Sequence, residues 1–156
     1  MKDDAHHTYM TEALHLARQA AAKGEVPVGA VIICNNKMIA GEFNTCESDC
    51  NPVNHAEIKA IVGAAHAKKN WRLNDCALYV TIEPCPMCLG ALFQARMGTV
   101  YFGCCDHKRE TDRLSVFPSL KGQQTLRDNN HCLSIHGGIL EDECADLLRG
   151  FFKKKR

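Results

Sequence analysis

A chain of 156 residues with 46% hydrophobic content is long enough to bury a core and enclose a site as a single domain, residues 1–156, with no linker. A formal net charge of +1 excludes a globally basic nucleic-acid binder while leaving room for a local basic patch. The opening Met-Lys-Asp-Asp-Ala-His-His lacks the apolar centre of a secretion signal, and no apolar run is long enough to span a bilayer, so a soluble, cytoplasmic protein without membrane contact is expected.

Over residues 8–23, Met10, Ala13, Leu14, Ala17, Ala20 and Ala21 recur at three- and four-residue steps, which predicts a helix with one buried face ending at Gly24. Residues 29–34 are short, apolar and β-branched, and Asn35-Asn36 turns them into 38–43, a predicted hairpin. Residues 45–52 are polar and read as a loop, a candidate pocket wall. The alanine-rich run 55–69, with Ile58, Ile61, Val62 and Ala65, is predicted helical and carries His55 and Glu57 in its first turn. A strand at 77–81 is stopped by Pro84 before a helix over 85–97. Strands follow at 99–102 and 132–136, and a closing helix over 141–154 has Cys144, Leu147, Leu148, Phe151 and Phe152 as its apolar stripe. Residues 106–131 show little periodicity. The alternation predicts a three-layer α/β/α domain around a five-stranded mixed sheet.

His55, Cys85 and Cys88 are donors of the kind a tetrahedral zinc takes, and three protein ligands leave its fourth corner open, as in catalytic sites. Cys85 follows His55 by 30 residues, and at a helix N-terminus the dipole favours the thiolate that binds metal. Glu57 is not needed in the ligand set and is free to move protons beside an activated water. The alternatives are a structural zinc knuckle or a reduced thiol pair. The ten cysteines are expected to be reduced in a chain that can build a core. Cys34, Cys76, Cys132 and Cys144 are read as small core hydrophobes, and Cys46, Cys50, Cys104 and Cys105 lack further donors for a second metal site.

The two halves His-x-Glu and Pro-Cys-x-x-Cys are the signature of the zinc nucleobase deaminases. Together with Glu25-Val-Pro-Val-Gly-Ala-Val31, Asn44, Leu78-Tyr-Val-Thr-Ile-Glu83, Gly90-Ala91, Phe102-Gly103, Asp106 with Lys108, and Gly138-Ile-Leu, they make the chain resemble the bacterial tRNA-specific adenosine deaminases over nearly all its length. The resemblance implies a cytidine-deaminase-like fold and conversion of the wobble adenosine of an arginine tRNA to inosine. It implies one zinc per subunit on His55, Cys85 and Cys88, with Glu57 shuttling protons. Asn44 would bond the flipped nucleotide and Val28 would line the base pocket, with Asp106, Lys108 and Phe151 at the substrate. A homodimer with composite RNA sites is implied, as is a last helix that carries Phe151, Phe152 and the basic 153–156 to the anticodon loop. The chain departs from the family at Arg109-Glu-Thr-Asp-Arg113, where relatives have a small glycine- and alanine-rich turn, and 106–131 is a few residues longer. That departure keeps open a deaminase of free bases or nucleosides, of guanine or cytosine type. The other reading is a zinc-stabilised RNA-binding subunit without turnover, which Glu57 argues against.

Overall fold

Strand β1 (Gly29–Cys34) is buried along its whole length because both of its faces are covered. Ala30, Ile32 and Cys34 point into one apolar cluster and Val31 and Ile33 into another, the period-two alternation of a strand sandwiched between layers. In the computed structural model, residues 2–106, 120, 122–128 and 130–156 are described. Helices α1 (Lys2–Ala22) and α4 (Glu141–Lys155) cover the Val31 face through Met10, Ala13, Leu14 and Cys144. Helices α2 (Ala56–Lys68) and α3 (Pro86–Gln94) cover the Ala30 face through Ala56, Ala60, Ala64, Leu89 and Leu92. The three-layer α/β/α reading therefore holds.

Among the described residues the sheet has six strands rather than the expected five, ordered β2-β1-β3-β4-β6-β5. The others are β2 (Lys37–Phe43), β3 (Cys76–Ile82), β4 (Thr99–Cys104), β5 (Gln123–Arg127) and β6 (Cys132–His136). Strand β1 runs antiparallel to β2 and β3, β3, β4 and β6 run parallel, and β5 returns antiparallel on β6, so the sheet is mixed. The sixth strand, Gln123-Gln-Thr-Leu-Arg127, sits at an edge with side chains alternately half-buried and exposed. An edge strand is held by main-chain bonds to one neighbour and needs few apolar side chains, so hydropathy does not mark it.

Two further differences have equally local causes. Helix α1 starts at Lys2 rather than residue 8, because Asp3 and Asp4 in its first turn complement the helix dipole where apolar periodicity is silent. Cys132 is exposed, not core: it alternates with buried Leu133 and Ile135 on β6. Among the described residues no helix is long and apolar enough to cross a membrane.

Helix α1 lies directly on β1 where the strand begins. A Cβ at Gly29 would stand 1.9 Å from the Ala13 carbonyl oxygen and 2.7 Å from the Ala17 nitrogen, so only glycine allows this approach. Substituting Gly29→Ala is expected to push the helix off the sheet and cost about 1–3 kcal/mol or more, seen as a lower urea midpoint at unchanged slope.

Candidate metal centre and active site

Two helix N-termini converge beside the sheet. His55, with ψ of 149°, is the N-cap residue of α2, and Cys85 is the N-cap residue of α3, followed by Pro86 at the first helical position. Proline suits that position because its missing N–H would have had no intrahelical partner. Neither side chain makes a capping hydrogen bond, and the two face each other. His55 Nδ1 lies 3.6 Å from Cys85 Sγ and 3.6 Å from Cys88 Sγ, and the three donor atoms lie within 4.8 Å of one another. A tetrahedral zinc with Zn–S near 2.3 Å and Zn–N near 2.0–2.1 Å sets its nitrogen and sulfur donors about 3.6 Å apart. The donor set and its spacing therefore fit such an ion.

The electrostatics of the triad suit a cation. Hydrogen bonding from the Cys88 thiol, reinforced by His55, pulls Cys85 down to about 4 against its burial. Cys88 is pushed up, first by that same bond to Cys85 and then by burial and Glu57. The two shifts oppose one another because each sulfur's largest cause is the other. A divalent ion among these donors would make both sulfurs thiolates. His55 is raised, chiefly through its contact with Cys85. Glu57 is 3% exposed, and burial raises it above the usual carboxylate range while a bond from Cys88 opposes this. Among the described residues Glu57 is outside the donor group, leaving it a buried acid beside the centre rather than part of it.

The other expected site residues are brought together unequally. Asn44 Oδ1 accepts the Ala56 N–H at 2.9 Å, so this side chain holds the first turn of α2, the turn that carries Glu57. Its amide NH2 has no partner among the described residues, and its own backbone N–H reaches the Val28 carbonyl at 3.2 Å. Val28 is buried in the same cluster as Ala56. Asp106 sits at the end of β4, where its N–H donates to Glu83 Oε1 at 2.7 Å. Lys108 lies outside the described residues, as does the departure at 109–113. Phe151 is half-buried, edge-to-face with Phe152 at 5.3 Å and under Lys155 Nζ at 4.9 Å. It is Phe152, with Arg149, Lys153 and Arg156, that lines a groove of about 890 Å³ shared with Ile82 and Asp106.

Two buried glutamates that the sequence reading left without a role organise the loops. Glu83 accepts the N–H groups of Asp106 at 2.7 Å and Leu120 at 3.0 Å, tying those two residues to one carboxylate. Glu25 accepts the Ser48 N–H at 2.7 Å, its hydroxyl at 3.2 Å and the Glu47 N–H at 3.2 Å, fastening the 45–52 loop. Their only local signal is an acid set beside proline in otherwise apolar company, in Glu-Val-Pro and Glu-Pro-Cys.

Asn44 allows its two roles to be separated. Asn44→Asp keeps the oxygen that holds the Ala56 N–H and loses the amide donor, whereas Asn44→Ala loses both. The alanine variant is expected to be less stable by about 0.5–2 kcal/mol, and both variants are expected to slow turnover, read from melting curves and single-turnover rates. An aspartate variant as fast as the parent would leave the side chain its helix-holding role alone.

The family model described as MafB19-like deaminase matches residues 4–156. A tRNA-specific adenosine deaminase of Bacillus subtilis is 39% identical over 148 residues, spanning 95% of this chain and 89% of the relative. A solved structure from work on A-to-I editing by tRNA:A34 deaminases at the wobble position of transfer RNA is similar with a TM-score of 0.78 and 33% identity, covering 90% of this chain and 99% of its own. A guanine deaminase from Bacillus subtilis, at 37% identity and a TM-score of 0.60, matches 63% of each chain.

Proposed function

We propose, from the premise that this chain belongs to the MafB19-like deaminase family and within it to the tRNA-specific adenosine deaminases, that it hydrolyses the wobble adenosine of a tRNA anticodon loop to inosine. The observation that carries the chemistry is the His55, Cys85 and Cys88 donor triangle with buried Glu57 outside it. These three residues would hold one zinc per subunit, which when bound lowers the pKa of a water from about 15.7 to about 7. Glu57 takes a proton from the attacking water and passes it to N1 of adenine as C6 is attacked, then takes the second proton from the new C6 hydroxyl and gives it to the amine, which leaves as ammonia as C6 becomes a carbonyl. Asn44 presents its free amide donor to the base, against the apolar wall of Val28. Asp106 and Lys108 are proposed as further substrate contacts.

RNA rather than a free base is favoured by the groove beside α4, where Arg149, Lys153 and Arg156 accompany Phe152. Cations that neutralise phosphates next to a ring that can stack are what a single-stranded segment needs. Phe151 stands behind Phe152 on the same helix. The Bacillus subtilis guanine deaminase matches 63% of the chain, while one from Nitrosomonas europaea, 22% identical and so a likeness of fold alone, covers 93% of it. The relatives named for tRNA extend over nearly all of it. An arginine tRNA is the proposed substrate, and residues 1–156 act as one cytoplasmic domain. A homodimer is proposed through the face between α2 and α3, where Ile58, Ile61, Ala65 and Ala91 surround Val62 and Trp71, which are 49% and 52% exposed.

Incubation of the purified protein with total tRNA, followed by sequencing for inosine, tests this reading. Inosine at one wobble position, in an arginine tRNA, is expected. Conversion of free guanine, cytidine or adenosine with tRNA untouched would replace it with the small-molecule reading, and zinc-loaded protein that binds tRNA without any conversion would replace it with the non-catalytic one.

A further inference from the structure

A second set of soft donors lies at the opposite end of β3 from the catalytic centre. Strands β1 and β3 run antiparallel with Cys34 and Cys76 directly paired across them. Cys34 Sγ is 3.4 Å from Asp75 Oδ2 and Cys76 Sγ is 3.5 Å from Asp75 Oδ1, and the three donor atoms lie within 4.8 Å of one another. Tetrahedral zinc with bonds of about 2.3 Å to sulfur and about 2.0–2.2 Å to oxygen has edges of about 3.5–3.8 Å, close to what these residues present. Both sulfurs are buried, at 8% and 4% exposure, whereas the Asp75 side chain is 50% exposed. The sulfurs are thus screened from bulk water while the carboxylate side stays open for entry and for a water in the fourth position.

Packing alone accounts for two buried thiols, but not for an aspartate bonded to both of them. Nor does it account for Lys68, which pairs with Asp75 and also lies 3.8 Å from Cys76 Sγ. Two thiolates and a carboxylate around a divalent ion carry one net negative charge, and the Lys68 ammonium, donating to the carboxylate and one sulfur, cancels it. Groups in that outer position orient ligands and tune the ion. We propose that Cys34, Cys76 and Asp75 form a second site, for a thiophilic divalent cation of the zinc class, with Lys68 as its charge-balancing neighbour. The six residue steps of β3 from Cys76 to Ile82 put about 20 Å between this site and the segment leading into Cys85. It cannot take part in the deamination. Its role is to staple the end of β1 to the start of β3 and to the last turn of α2.

The test counts metal in the full chain. Under reducing conditions, with zinc in buffered excess, elemental analysis of the parent is expected to find a second equivalent per chain. The double variant Cys34→Ser, Cys76→Ser is expected to lose one equivalent, together with its share of the cadmium–thiolate charge-transfer absorption when cadmium is the probe, while deamination of tRNA is unchanged. Two serines in a buried strand pair could disturb the sheet, so Asp75→Asn, at a half-exposed position, provides the independent arm. It is expected to keep both thiols and weaken the second equivalent by about tenfold or more. A parent that holds a single equivalent in excess zinc overturns the proposal. So does a folded double variant, or an Asp75→Asn protein, that binds zinc as the parent does, or a Cys34–Cys76 disulfide found in protein kept in reductant.

Discussion

Replacing Glu57 with glutamine is expected to lower the rate of deamination by about 10²–10⁴-fold or more while the metal content stays that of the parent. Glutamine keeps the size of the side chain and a carbonyl oxygen for the Cys88 contact, so the packing around a residue only 3% exposed is preserved. What is lost is the capacity to take a proton from water and return it to the base. Because Glu57 lies outside the donor group, its loss leaves His55, Cys85 and Cys88 complete. Single-turnover rates on an anticodon stem-loop and elemental analysis of the same preparation read the two halves separately. A Glu57→Gln protein without zinc would make Glu57 a ligand, and one with parental turnover would move the proton shuttle to another residue.

The centre was legible in the sequence because its information is carried by donor type and spacing. Histidine with an acid two residues on, and two cysteines i, i+3 apart framed by Pro84 and Pro86, suffice to single out the three donors that the fold brings together, and local rules put each half at a helix start. Strand β1 was legible for a related reason, since two-sided burial writes a continuous apolar run. Strand β5 was not, because an edge strand of Gln, Thr and Arg is stabilised by main-chain bonds that leave no mark on hydropathy. The first turn of α1 was missed because Asp3 and Asp4 favour a helix through its dipole rather than through burial. Glu25 and Glu83 illustrate a different limit. What a buried carboxylate accepts is decided by which loops return to it, and Ser48 and Leu120 lie 23 and 37 residues away. Cys34 and Cys76 belong to the same class. Each alone reads as a small core hydrophobe, and only the register of β1 on β3 brings them opposite one another.

These loop clamps explain how a small domain holds a precise centre. The ligands sit at the starts of two helices, where backbone geometry is set by caps: Asn44 fixes the start of α2 and Pro86 the start of α3. Glu83 immediately precedes Pro84-Cys85 and accepts from Asp106 and Leu120, so the segment leading into the candidate sulfur donors and the residues just after β4 are tied to one carboxylate. Placing first-turn residues on rigid elements, supported by neighbours that satisfy their backbone, is what keeps a site within the tolerance that proton transfer demands.

Cys88→Ala is expected to remove metal, turnover and stability together. Cys88 is fully buried, its sulfur faces His55 Nδ1 at 3.6 Å, and it interacts with both Cys85 and Glu57. Alanine deletes one of three ligands and leaves the Cys85 thiolate and the Glu57 carboxyl without their shared partner, the costly case of a buried polar group stripped of its bond. A ligand that binds only the folded chain stabilises it by about 4.1 kcal/mol when present at a thousand times its dissociation constant, and the variant forfeits that contribution. The measurement is a pair of melting curves for each protein, with saturating zinc and with a strong chelator. The parent is expected to lose stability in chelator by several degrees, whereas the variant starts low in zinc and loses much less. Elemental analysis should show one equivalent fewer than the parent. That equivalent is distinguished from the one at Cys34 and Cys76 because only its loss abolishes deamination. A Cys88→Ala protein with parental zinc and a parental response to chelator would remove Cys88 from the ligand set, and with it the geometric basis for placing the reaction between α2 and α3.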